Sequence, residues 1–352
     1  MKSLAEIINA SISAGSSDIH ISTNRPASCR VSGKLFAIDT EPLTHKDIEL
    51  MAKPFFEIKG VEKNMEEKGE ADFAYSFSEE YRFRVNMFKQ KGEYAVVMRL
   101  LPTTMPHPEQ LGLPEAVQNF VNLKRGLVLV TGETGSGKST TLAALINRIN
   151  NSQQKHIITI EDPIEFVHQH RMSMVNQREV GIDTMSFANA LRASLREDPD
   201  IILVGEMRDL ETIETALTAA ETGHLVFSTL HTNNAPATID RVVDVFPPEQ
   251  QQQVRVQLAN VLEGIVCQQL LPTRDGKRMA CFEVMVANAA IRNLIREGKS
   301  FQLTSQIQTG RKQGMQTMDD SIIAAFNQKK IFAEDAVRFA FDVGAMTKAC
   351  QL

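Results

Sequence analysis

The first hundred residues alternate apolar and polar side chains in short runs: DIHIS (18–22), CRVSGKLFAI (29–38), ADFAYSF (71–77), YRFRVNMF (81–88) and EYAVVMRL (93–100). A period of two, bounded by Gly, Asn and charged turns, predicts antiparallel strands. Helical spacing covers Leu4–Ala14 and Thr44–Phe56. The second stretch opens on Thr44, an acceptable N-cap, and carries Asp47 in its first turn. Residues 1–100 therefore read as a small α+β domain.

Between Leu101 and Leu113 the run LPTTMPHPEQLGL holds three of the chain's 13 prolines. Each proline removes a backbone donor and fixes one dihedral, so residues 101–113 are expected to be a linker. Beyond it the pattern changes to continuous apolar strands: GLVLVTG (126–132), HIITIED (156–162), DIILVGE (200–206) and HLVFSTLH (224–231), with helical stretches between them. Such strands predict a parallel sheet covered on both faces, placing residues 114–352 in an α/β domain. From about Pro247 the pattern turns helical, over Glu249–Cys267, Ala289–Glu297, Met318–Lys329 and Ala333–Asp342, which predicts a helical C-terminal tail.

At 352 residues the chain is long for a single core, which suits two domains of unequal size. No apolar run reaches the roughly 18 residues a membrane span needs, and the start lacks a signal-peptide pattern, so a cytoplasmic protein without membrane insertion is expected. The four cysteines, Cys29, Cys267, Cys281 and Cys350, are scattered without a CxxC pair, and read as reduced, mostly buried thiols. A net charge of −5 without a basic block speaks against nucleic acid as a partner.

One segment carries chemistry outright. LVLVTGETGSGKSTTLAALINRI contains Gly132, four residues, then Gly137, Lys138 and Ser139, the full phosphate-loop pattern. It follows an apolar strand and opens an amphipathic helix, as the mechanism requires. The glycines let backbone N–H groups of Gly132, Glu133, Thr134, Gly135, Ser136, Gly137, Lys138, Ser139 and Thr140 form an anion nest. Lys138 then places a cation between the β- and γ-phosphates, Ser139 gives Mg²⁺ a hydroxyl ligand, and the helix adds its positive end.

In open parallel sheets ligands sit beyond the carboxyl ends of the strands. Three further strands end in Glu161–Asp162–Pro163, Gly205–Glu206 and Thr229–Leu230–His231. Phosphoryl transfer to water needs one carboxylate to orient or deprotonate the nucleophile and another to hold the metal, and Glu161 and Glu206 suit those roles; the alternative is that they are solvated turn residues. His231, and His224 at the start of the same strand, could hydrogen-bond a phosphate or a neighbouring subunit, the alternative being an ordinary structural role. Arg82 and Arg84 share one face of the strand 81–88, either as a phosphate clamp or as a solvated strand face.

Together these residues resemble the secretion ATPase superfamily of type II secretion and type IV pili. The carriers are GETGSGKS (132–139), an Asp box ITIEDPIEF (158–166), a Walker B region LREDPDIILVGEMRDLET (195–212) and a His box TGHLVFSTLHTN (222–233), in that order. The likeness runs over essentially the whole chain, including SDIHIS and RFRVN. Within the superfamily, AIRNLIREGK (290–299) resembles the signature of the pilus retraction (twitching-motility) ATPases, the PilT family. The structural alternative is an amphipathic helix packed through Ile291, Leu294 and Ile295.

The resemblance implies a PAS-like α+β N-terminal domain joined to a RecA-like P-loop ATPase domain, assembled as a homohexameric ring. It implies ATP and Mg²⁺ as ligands, with Glu161 as catalytic base, Glu206 as Walker B acid holding the metal through water, and Ser139 and Lys138 on Mg²⁺ and phosphates. Arg82 and Arg84 would reach the nucleotide from the N-terminal domain, about a hinge at 101–113, with His224 and His231 sensing its state. The ring would work at the cytoplasmic face of the inner membrane on a pilus platform protein. Glu133 stands where many retraction ATPases have proline, adding a negative charge near the phosphates without removing a ligand. A pilus-assembly or type II secretion ATPase, a nucleic-acid translocase and a slow regulatory nucleotide binder are the rival readings.

Overall fold

The computed structural model describes residues 2–102 and 104–351; Thr103, inside the predicted linker, lies outside them. The chain clusters into two compact units. The first is Met1–Thr104 together with Glu161–Val167 and Arg178–Met185, and the second is Met105–Ile160, His168–Gln177 and Ser186–Leu352. The sequence-derived domains are contiguous, whereas the first unit takes in two segments from much later in the chain.

The first unit is built on six strands: β1 (Asp18–Ile21), β2 (Ser28–Val31), β3 (Lys34–Ala37), β4 (Glu70–Ser76), β5 (Arg82–Gln90) and β6 (Glu93–Leu101). They run in the order β3-β2-β1-β6-β5-β4, and every pairing is antiparallel. The period-two signal is visible in β5, where Phe83, Val85 and Met87 are buried and Arg82, Arg84 and Asn86 only partly so. Both expected helices are present as Leu4–Ser13 and His45–Phe56, each opened by a capping box, Ser3 with Glu6 and Thr44 with Asp47. Their apolar stripes, including Ile7, Ile8, Ile48, Met51 and Phe55, meet Phe73, Phe83 and Met87 in one core. Ile182, from the second of the late segments, packs against the same core.

The second unit is organised by β7 (Gly126–Thr131), β8 (His156–Glu161), β9 (Met174–Glu179), β10 (Ile201–Val204), β11 (Leu225–Leu230), β12 (Leu262–Pro272) and β13 (Arg278–Val286). The order is β13-β12-β7-β11-β10-β8-β9. Five strands, β12, β7, β11, β10 and β8, pair in parallel, and β13 returns antiparallel to β12. β7, β10 and β11 are buried at every position, as strands covered on both faces must be. The helix Lys138–Ser152 lays Leu142, Leu145, Ile146 and Ile149 into this core.

The predicted tail needs correction. The helix expected over Glu249–Cys267 ends at Val261, and the chain continues as β12 and then β13, so the C-terminal region adds two strands to the sheet as well as the helices Ala289–Arg296, Met318–Asn327 and Ala333–Phe339. The run LEGIVCQQLL has no period that separates a buried strand from a buried helix. What selects the strand is packing: β12 passes so close to Phe120 that a Cβ on Gly264 would overlap the phenyl ring. All four cysteines are unpaired and buried, as expected.

Gly264→Val drives a Cβ and two methyl groups toward the Phe120 ring and should lower stability by roughly 1–3 kcal/mol, read as a fall in Tm; an unchanged Tm would contradict the close approach. His168 is buried, and burial holds its pKa down at about 4. The folded state thus favours neutral imidazole, so its contribution is complete above the unfolded pKa near 6.5 and is lost as pH falls toward 4, about 3 kcal/mol in all. His168→Gln should flatten that part of the stability–pH curve measured by denaturant titration.

Candidate active site

β7 ends at Thr131, and the chain turns at once through Gly132, Gly135 and Gly137, with φ of +143°, +81° and +92°. The helix then begins at Lys138. Lys138 is 8% exposed, and its ammonium folds back over the turn, donating to the carbonyls of Gly132 at 2.7 Å and Glu133 at 2.9 Å. Glu133, Thr134, Gly135 and Ser139 are exposed, while Ser136 is buried and Thr140 partly so. The result is a concave, amide-rich loop with an ammonium across it and a helix N-terminus beneath, an arrangement suited to oxyanions.

Register brings the next strand ends beside it. Leu230 of β11 pairs with Thr131 of β7, and Ser228 pairs with Val204 of β10, so the loops after β7, β10 and β11 leave the same edge. There Glu206, only 16% exposed at its side chain, receives Arg208 Nε at 2.7 Å and lies 3.5 Å from His231 Nε2. The backbone beneath is locked by Thr229 Oγ1 donating to the Gly205 carbonyl at 2.6 Å and the Met207 amide donating to the Thr229 carbonyl at 3.1 Å. Glu206 and His231 are thus brought together as a polar pair, with Arg208 as a third member that pattern reading did not single out.

β8, parallel to β10 with Ile160 opposite Val204, ends at Glu161, whose segment belongs to the first unit. In that unit Arg82 is half-buried, its Nη1 3.5 Å from the Ile164 carbonyl and its Nε 3.3 Å from Ser76 Oγ. Burial lowers its pKa, against the upward pull of the Glu179 and Glu161 carboxylates. Arg84, on the same strand face, reaches Asp72 at 3.7 Å. The guanidinium of Arg82 therefore shares its surroundings with Glu161, and Arg84 has a separate acidic neighbour.

His224 does not join these groups. It immediately precedes β11, where Leu225 pairs with Gly126 at the start of β7, and its Nδ1 lies 2.9 Å from the Ala219 carbonyl. The six residues of β11 put it at the opposite sheet edge from the phosphate loop, on the order of 20 Å away along the strand.

Residues 1–338 match the family described as type II/IV secretion system protein. The chain belongs to that family. The type IV pilus retraction ATPase PilT of Pseudomonas aeruginosa is 51% identical over 90% of this chain and 92% of its own length. A twitching motility protein of Neisseria gonorrhoeae is 54% identical over 79% of this chain and 75% of its own. A crystal structure of the pilus retraction motor PilT with bound ADP superposes with a TM-score of 0.89 at 47% identity, covering 97% of this chain and 98% of that one. The α/β architecture of this secretion ATPase, antiparallel in the first unit and mainly parallel in the second, is that of the retraction motor.

In this secretion ATPase the AIRNLIREGK segment forms the helix Ala289–Arg296. Ile291 and Ile295 are buried, and Arg292 clamps the end of the preceding helix, Nη1 donating to the carbonyls of Ala259 at 2.7 Å and Asn260 at 3.0 Å while Nη2 meets Glu263 at 3.0 Å. A cation here satisfies helix-terminal carbonyls and opposes the negative dipole end. The motif thus does structural work at least at this arginine, whatever its surface recognises.

Two buried residues of consequence carried no signal in the sequence. Gln268, on β12, reaches the phosphate loop from behind, and Glu179, on β9, accepts from the amides of Ile164 at 3.1 Å and Ala74 at 3.4 Å, its pKa raised by burial. Both lie in stretches without periodicity or motif. Arg292→Ala should cost about 1–3 kcal/mol, because it orphans two carbonyls and the Glu263 carboxylate; chemical denaturation checks this, and Arg292→Lys should recover only part of it since one ammonium cannot serve three acceptors in a fork.

Proposed function

We infer that this ATPase powers retraction of type IV pili and so drives twitching motility. The observation that carries the reading is the preformed loop Gly132–Ser139 beside the Glu206–His231 pair, in a chain 51% identical to a named retraction ATPase.

The residue roles proposed are these. Amides of Gly132 to Thr140 and the Lys138 ammonium hold the phosphates of ATP. The oxygen donors Ser139 and Glu206 fit Mg²⁺, the carboxylate acting through water. When bound, that ion neutralises charge on the transferred group. Glu161 orients and deprotonates the attacking water, and Arg82 and Arg84 supply guanidiniums to the developing charge, a contribution worth roughly 10³–10⁵ in rate. His231 reads the γ-phosphate through its neighbour Glu206. His224, at the far end of β11, responds to it only through that strand.

Among the described residues no helix is long and apolar enough to cross a membrane. We place the protein at the cytoplasmic face of the inner membrane, as a six-membered ring acting on a platform protein that withdraws pilin subunits. Hydrolysis supplies the displacement by removing γ-phosphate contacts that hold switch elements.

Lys138→Ala should reduce ATP turnover to background while the circular dichroism spectrum and Tm stay near wild type; substantial steady-state hydrolysis by that variant would refute the site assignment. Deleting the gene should leave abundant surface pili on cells that no longer twitch. Bald cells would instead identify an assembly motor.

A further inference from the structure

Gln268 is 3% exposed, and its side-chain amide is hydrogen-bonded at both its nitrogen and its oxygen. Nε2 donates to the Ser136 carbonyl at 2.7 Å, and Oε1 accepts from Thr141 Oγ1 at 2.7 Å. One buried group on β12 therefore ties the phosphate loop to the first turn of the helix that follows it. The same residue explains the outer glycines of the motif. A Cβ on Gly132 would overlap the Gln268 backbone oxygen, and one on Gly137 would stand 2.8 Å from Gln268 Nε2.

The bond to Ser136 has a directional consequence. In a planar trans peptide the C=O and the following N–H point to opposite sides. Holding the Ser136 carbonyl against Gln268 turns the Gly137 N–H the other way, toward the interior of the loop. A flip of that peptide would present an oxygen to an anion in place of a donor. Gly137, at φ +92°, has the backbone freedom for such a flip.

We propose that Gln268 is a positioning residue that fixes the Ser136–Gly137 peptide with its N–H facing the phosphates, and thereby sets the affinity of the loop for nucleotide. The proposal rests on the reading above that ATP binds this loop. Gln268 touches neither substrate nor reacting atoms, and acts through the peptide it holds.

Steady-state hydrolysis and ADP titration calorimetry on the full chain test it. Gln268→Leu keeps the volume and removes both hydrogen bonds; the ATP KM and the ADP Kd should rise about tenfold or more. Gln268→Glu leaves an acceptor for Thr141 but sets a carboxylate oxygen against the Ser136 carbonyl. Its KM should be high at pH 8 and fall toward wild type at pH 6, as the buried carboxyl takes up a proton and donates again. A role in packing alone would produce no such recovery. The idea is overturned by a folded Gln268→Leu protein with KM within twofold of wild type, or by a Gln268→Glu KM that parallels the wild type at every pH; should the leucine variant not fold, the pH profile decides. Lys138→Ala separates the two readings: if it abolishes ADP binding while the Gln268 variants bind normally, only the positioning role fails, whereas unimpaired ADP binding by Lys138→Ala removes the site itself.

Discussion

Parallel pairing of β12, β7, β11, β10 and β8 is the constraint on which the chemistry depends. Parallel strands start at one edge and finish at the other, so residues far apart in sequence arrive together at the finishing edge. Thr131 beside Leu230, and Ser228 beside Val204, are sufficient to gather the phosphate loop, Glu206 and His231. The same register sends His224 to the starting edge. One ladder of hydrogen bonds thus decides both which polar groups meet and which do not.

That edge is crowded by design of the backbone rather than by large side chains. The turn after β7 is bounded by Gly132 and Gly137, and at both positions the space of a side chain is already taken by Gln268. Lys138 fills the remaining concavity and satisfies itself on the carbonyls of Gly132 and Glu133. A buried ammonium needs such partners, because leaving a charge unpaired out of water is costly. They also hold it at the loop, across the turn that follows β7.

Buried carboxylates recur at the joints between elements. Glu283, on β13, accepts from the Ala235 amide at 2.8 Å where the helix Ala235–Asp244 begins, just beyond His231, and burial raises its pKa. Glu179 plays a comparable part in the first unit, joining β4 to the segment that follows Glu161 through the amides of Ala74 and Ile164. In each case an otherwise unsatisfied N–H near a functional segment is paired with a carboxylate that can hardly reach water. The cost of burying the acid is offset by these donors, and the neighbouring polypeptide is fixed in return.

The sequence alone determined what is local. The turn Gly132–Ser139 was legible because glycine spacing records its backbone conformation directly. The first-unit strands and the capped helices at Ser3 and Thr44 were legible for the same reason, since period and caps are short-range physics. Only the tertiary structure decided what is long-range. LEGIVCQQLL became β12 because β7 and β13 offered it hydrogen-bonding partners and Phe120 required a glycine at position 264. Gln268 and Glu179 gained their importance from residues 127 to 132 and 15 to 105 positions away. Period, propensity and motif say nothing about such distances, because the physical partner of a buried polar group is set by the packing of whole elements.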